Sequence, residues 1–222
     1  MKKQEKTIVF LGDSITDSGR TSVKYEDNMG SGYPVLISAD LLMNKPDGYR
    51  FYNRGINGHR SPDLYARLKR DAINLKPDYI SILIGVNDVL HGFDQNNGTN
   101  VKQYERLLSM MIEDIKEELP ECKIVIMEPF TLEGVLTTNT DEEPYRWERF
   151  KSEVYQRAKT AKETAKKYNV PFVELQDVIL SVAKVYGNNY VLRDGVHPTT
   201  YGSAIIAKEW LKCYNKLYNI VK

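Results

Sequence analysis

Cysteine is scarce: the 222-residue chain has two, Cys122 and Cys213. One disulfide is arithmetically open to them, but such sparse usage suits a reducing compartment with both thiols free and structural. An excess of charge is also lacking. The 31 basic and 30 acidic residues leave a formal net charge of +1. No long-range field therefore draws the chain to nucleic acid or an anionic membrane. Long apolar runs are missing too, and none approaches the roughly 18 residues of a membrane helix. The short run at residues 7–11, after Met1-Lys2-Lys3-Gln4-Glu5-Lys6, falls below the roughly 7–15 apolar residues of a secretory leader. A cytoplasmic protein without nucleic-acid or membrane partners is expected. No Gly/Ser/Pro linker, repeat or low-complexity segment interrupts it, so a single domain over residues 1–222 is expected.

What is present is a 41% hydrophobic content, ample for a core, arranged as an alternation. Short apolar, β-branched runs at residues 7–11, 50–53, 79–84, 123–127 and 171–175 read as strands. Three of them are nearly continuously apolar, as parallel strands covered on both faces are. Between them, residues 33–43, 62–74, 101–118, 144–168 and 200–218 read as helices. In the third, Tyr104, Leu107, Leu108, Met111, Ile112 and Ile115 recur at three- and four-residue steps. Lys159, Lys162, Lys166 and Lys167 in the fourth read as a solvated face. The pattern predicts an α/β fold, a three-layer αβα sandwich around a five-stranded parallel sheet, flavodoxin-like in type. Long polar connections at residues 20–32, 90–100 and 131–143 are candidate walls of a site.

In such a sheet, ligands bind beyond the carboxyl ends of the strands. The first strand delivers Gly12-Asp13-Ser14-Ile15, the second Asn53-Arg54-Gly55-Ile56-Asn57-Gly58, and the third Gly85-Val86-Asn87-Asp88. Asp194-Gly195-Val196-His197-Pro198 precedes the last helix. Taken singly, each has a structural explanation. Ser14 could cap a helix, Gly55 and Gly58 could serve turns, Asn87 could be a turn or cap residue, and Asp194 could merely partner a loop histidine. Their joint occurrence in this order favours a shared site.

These four blocks resemble those of the SGNH subgroup of GDSL esterases, over residues 7–211. The resemblance implies the SGNH hydrolase fold, with Ser14 as nucleophile and Asp194 and His197 as acid and base of a catalytic triad. It places Ser14, Gly55 and Asn87 in the oxyanion hole. A serine hydroxyl needs a base, and imidazole titrates near enough to neutrality to serve. Asp194 could orient the imidazole and stabilise its positive form. No cofactor and no metal are called for. A phosphohydrolase that used the nearby carboxylates to hold Mg²⁺ would carry Asp where Ser14 stands.

Within the family, residues 12–20, Gly30-Ser31-Gly32-Tyr33, Ile84-Gly85-Val86-Asn87-Asp88-Val89 and Glu128-Pro129-Phe130 are similar to the carbohydrate acetylesterase branch. That branch includes intracellular xylan and xylo-oligosaccharide acetylesterases, often oligomeric, so a homo-oligomer stays open. The likeness implies an acetyl ester on a small molecule or oligosaccharide, hydrolysed through an acyl-serine intermediate, with Asp13 and Arg193 as substrate contacts. Arg193 stands where the branch often has an aromatic residue. A lysophospholipase or thioesterase acting on longer acyl chains is the alternative, and a non-catalytic binding protein on the same fold is a more remote one.

Overall fold

The computed structural model describes residues 5–20 and 27–217. Five strands, β1 (Lys6–Gly12), β2 (Tyr49–Gly55), β3 (Tyr79–Leu83), β4 (Lys123–Met127) and β5 (Phe172–Val173), form one sheet in the order β2-β1-β3-β4-β5. Every pairing is parallel. Among the helices are α1 (Ser14–Asp17), α2 (Tyr33–Asn44), α3 (Ser61–Asp71), α4 (Val86–Gln95) and α5 (Val101–Glu118). The later ones are α6 (Arg146–Lys167), α7 (Gln176–Tyr186), α8 (Asn188–Val191) and α9 (Thr200–Leu217). The expected three-layer sandwich is present.

Period-two alternation along the strands builds two separate core layers. Ile8 and Phe10 of β1 join α2, α7 and α9 on one face. Val9 and Leu11 join α3 and α5 on the other. On the first face, Trp210 is fully buried among Phe10, Tyr79 and Tyr214, and its indole N–H donates to the Ser81 hydroxyl at 3.1 Å. Cys122 and Cys213 are free thiols. Among the described residues, no helix is long and apolar enough to cross a membrane.

The register decides where chemistry can gather. β1 pairs with β2 up to Gly12↔Gly55 and with β3 up to Gly12↔Leu83, so these strands end side by side. The strand order reverses between β1 and β3, because the chain leaves β1 outward to β2 and then returns past it. Their following loops therefore diverge and leave a crevice at that edge.

Three expectations need correction. Residues 90–100 are not an open connection, because α4 occupies them up to Gln95 and ends at a left-handed Asn96. Its polar residues and Gly92 mask its helical period. The segment after β5, left unassigned in the sequence, forms α7 and α8. The strand expected over residues 171–175 shrinks to Phe172–Val173 at the sheet edge. Of the connection at residues 20–32, residues 21–26 lie outside the described residues.

Trp210→Ala should destabilise the fold by about 3–5 kcal/mol, the usual cost of emptying a buried aromatic site. Urea unfolding should show a lowered midpoint with little change in slope.

Candidate active site

Ser14 is the first residue of α1, directly beyond β1. The other end of the chain supplies its partner. Residues 192–198 form a tight loop closed by an antiparallel bridge, Leu192↔Pro198, and by the Arg193 N–H donating to the His197 carbonyl at 2.9 Å. Inside the loop, Asp194 Oδ1 accepts the N–H groups of Val196 at 3.0 Å and His197 at 2.7 Å. Its Oδ2 lies 2.7 Å from His197 Nδ1. His197 Nε2 reaches Ser14 Oγ at 2.8 Å, across 183 positions of sequence. The three residues that the sequence singled out for this role stand in one hydrogen-bonded chain.

The electrostatics fix the direction of that chain. Burial pushes the Asp194 carboxyl upward, but hydrogen bonds from the His197 backbone and ring and from the Val196 N–H outweigh it and hold its pKa below the usual aspartate value. An ionised carboxylate only accepts, so Nδ1 carries the hydrogen and Nε2 offers its lone pair to the serine hydroxyl. Such a geometry can take a proton from Ser14 and bear the resulting charge.

A second loop braces the first. Leu132 and Leu136 donate their N–H groups to the carbonyls of Gly195 and Asp194, each at 3.0 Å, and the Thr131 hydroxyl also donates to Gly195 at 3.0 Å. A Cβ on Gly134 would stand 2.4 Å from the Asp194 carbonyl carbon, so the two backbones touch. Part of the connection expected to wall the site is thus a buttress beneath the Asp194–His197 loop.

The structure corrects two of the expected site residues. Asp13 does not face substrate: it is 1% exposed, and its Oδ1 accepts the Ile15 N–H at 2.9 Å as the cap of α1. Burial, against the opposing hydrogen bond from Ile15, pushes its pKa up to about 7. Gly55 cannot offer its N–H to an oxyanion, because that N–H donates to Asn53 Oδ1 at 2.9 Å. Its carbonyl accepts from Arg20 at 3.0 Å, and an added Cβ would strike the Asp17 backbone nitrogen at 2.1 Å. Gly55 is a packing glycine that lets β2 meet α1.

The free donor lies three residues on. The His59 N–H bonds to the Ile56 carbonyl at 3.2 Å and closes a tight turn in which Gly58 adopts a φ of 76°. A side chain is strained there, and only His91 Nε2, at 3.9 Å, would approach an added Cβ. Among the described residues, the N–H groups of Ser14 and Gly58 have no hydrogen-bond partner. Asn87, 4% exposed in the first turn of α4, uses one amide hydrogen on the His59 carbonyl at 3.1 Å and keeps the other. The Asn57-Gly58 pair was the sequence signal for this turn. Arg193 is exposed on the Asp194–His197 loop, with one guanidinium nitrogen donating to the Pro198 carbonyl at 2.8 Å.

The sequence pattern of the GDSL-like Lipase/Acylhydrolase family matches residues 10–205. The chain belongs to this family. It is 32% identical over 214 residues to an acetylxylan esterase of Geobacillus stearothermophilus, covering 92% of each. An arylesterase of Vibrio mimicus is 28% identical over 153 residues, covering 59% of this chain and 73% of that protein. Among solved structures, a protein described as a GDSL-like lipase from Parabacteroides merdae superposes with a TM-score of 0.84 at 34% identity, covering 95% of this chain and 96% of that one. Axe2, the acetylxylan esterase of G. stearothermophilus, superposes with a TM-score of 0.80 at 31% identity, covering 96% and 95%. This GDSL-family protein is a carboxylic ester hydrolase.

Asp13 also sets a pH dependence of folding. Its pKa near 7 in the folded chain lies above the roughly 3.9 of an unfolded aspartate, so the folded state binds the extra proton between these values. This group's contribution to stability should be complete below that window and fade as pH rises through about 7. Denaturation midpoints of the wild type and Asp13→Asn, followed from pH 4 to 8, should show this component lost in the variant.

Proposed function

We propose that the enzyme removes acetyl groups from hydroxyls of a carbohydrate, with xylo-oligosaccharides as the leading substrate class, within one catalytic domain. Ser14 Oγ attacks the acetyl carbonyl while His197 Nε2 takes its proton. The tetrahedral oxyanion is held by the N–H groups of Ser14 and Gly58 and by the free amide hydrogen of Asn87. Collapse breaks the bond to the sugar oxygen, which leaves with the proton from His197. Water, deprotonated by the same imidazole, then releases acetate from the acyl-serine. Arg193, exposed on the loop that carries Asp194 and His197, would donate to sugar hydroxyls.

The observation that carries this reading is the 32% identity to an acetylxylan esterase across 92% of the chain, joined to a hydrogen-bonded Ser14–His197–Asp194 line. The half-buried position of Ser14 and His197 also suits an acyl group presented on a bulky alcohol.

Acetate release from acetylated xylo-oligosaccharides should be rapid for the wild type and abolished in Ser14→Ala. Asp194→Asn should lower kcat by about 10⁴ while folding is retained, because the imidazole loses its anionic orienting partner. Acetyl esters of a chromophore should turn over faster than octanoyl esters; the reverse ranking would assign the enzyme to longer acyl chains.

A further inference from the structure

Beneath the turn that presents Gly58 lies a buried arginine with no part in the chemistry above. Arg67, on α3, is 6% exposed, and its guanidinium contacts four groups. Nη2 donates to the Gly12 carbonyl at 2.8 Å, and Nη1 to the Arg54 carbonyl at 2.7 Å and to Asp71 Oδ2 at 2.9 Å. Nε donates to His59 Nδ1 at 3.1 Å. One planar group thus joins the end of β1, the end of β2 and the residue that follows Gly58. Asp71, one helical turn on, holds the plane in place.

His59 is gripped at three points. Its ring accepts from Arg67, so Nδ1 is the acceptor and the hydrogen sits on Nε2. Burial and the Arg67 charge keep the imidazole below its ordinary pKa and therefore neutral. Its N–H closes the Ile56–His59 turn, and its carbonyl receives the Asn87 amide. A shift of His59 moves both the Gly58 N–H and the Asn87 amide.

We propose that Arg67 is the positioning residue of the oxyanion hole, setting the directions of two of its donors through His59. The inference rests on the reading of Ser14 as nucleophile and adds to it a specific dependence on α3. A lysine could neutralise Asp71 but could not span both strand-end carbonyls and the imidazole from one plane.

The test compares Arg67→Lys, His59→Leu and His59→Asn with the wild type on an acetyl ester. Phenylboronic acid serves as the probe, since it forms a tetrahedral anionic adduct on a nucleophilic serine. Removing a hole donor typically costs about 10²–10³ in kcat, which bounds the effect of misdirecting one. Arg67→Lys and His59→Leu should fall by about that factor, with KM within about twofold and boronate affinity falling alongside kcat. His59→Asn, whose Oδ1 can replace Nδ1 as acceptor, should keep most of the activity. In an Asn87→Ala background, Arg67→Lys should lose less than it does alone, because both act on one hole.

Near-ultraviolet circular dichroism reports folding. If Arg67→Lys fails to fold, the two His59 variants carry the comparison. A folded Arg67→Lys with kcat within twofold of wild type, a loss in kcat without weaker boronate binding, or His59→Asn as impaired as His59→Leu would overturn the proposal. Absence of esterase activity in the wild type, or its persistence in Ser14→Ala, would instead overturn the reading beneath it.

Discussion

Parallel strands that stop at a common edge leave carbonyl groups there with no ladder partner, and buried carbonyls must find donors. The architecture of this site follows from how that demand is met. Gly12 O receives Arg67 Nη2 and the Ile56 N–H, Arg54 O receives Arg67 Nη1, Gly55 O receives Arg20, and Ile84 O receives the Tyr104 hydroxyl. The acceptors at the ends of β1, β2 and β3 are thus satisfied from within. The N–H groups just beyond, on Ser14 and Gly58, are left without a hydrogen-bond partner among the described residues. A surplus of directed N–H groups at one edge is what an anion requires, and it arises here from satisfying the carbonyls behind them.

The half of the site around Asp194 and His197 is built by a different rule. Asp194 and His197 lie three positions apart and gather nearly all their order locally, through the two N–H groups turned onto Asp194 Oδ1. Such a loop could swing as a unit, and the segment around Gly134 prevents this by bonding to the carbonyls on either side. One half of the site depends on long-range ties through the sheet, the other on a short loop clamped from outside. They meet at a single hydrogen bond between Ser14 and His197.

Legibility in the sequence tracked the range of the interaction concerned. β1, β3 and β4 were readable because their burial on both faces leaves a nearly unbroken apolar run, and β4 is observed at its expected bounds, Lys123–Met127. The long α5 was readable because its apolar residues recur at three- and four-residue steps from Tyr104 to Ile115. α4 was not, since its buried side includes Asn87 and Asp88, polar residues that count against a core face until their partners are known. Gly55 and Gly58 could not be told apart for a related reason. Only the Asn53 side chain, which also reaches back to the carbonyls of Thr16 and Met29, decides which N–H is occupied. Asp13, expected as a substrate contact, instead caps α1, which needs its side chain pointing inward.

The polar material behind the crevice also explains why this edge is not simply packed with aliphatic side chains. Asp88 is 1% exposed, and burial raises its pKa, yet it accepts the N–H and hydroxyl of Ser61 and so ties the start of α3 to the first turn of α4. Burying such charges costs free energy that apolar residues of equal volume would not. Apolar packing sets the spacing and crossing angle of helices with a scatter of roughly 15–20°, which leaves residual rotation. Directed hydrogen bonds control that rotation. α3 carries Arg67 and α4 carries Asn87, so the Asp88–Ser61 contact holds on one frame the two helices that bond to His59. A peptide plane rotated by a few tens of degrees would turn its N–H away from the crevice while leaving the hydrophobic core unchanged, so in the proposed oxyanion hole the burial of Asp88 would be offset through direction rather than stability.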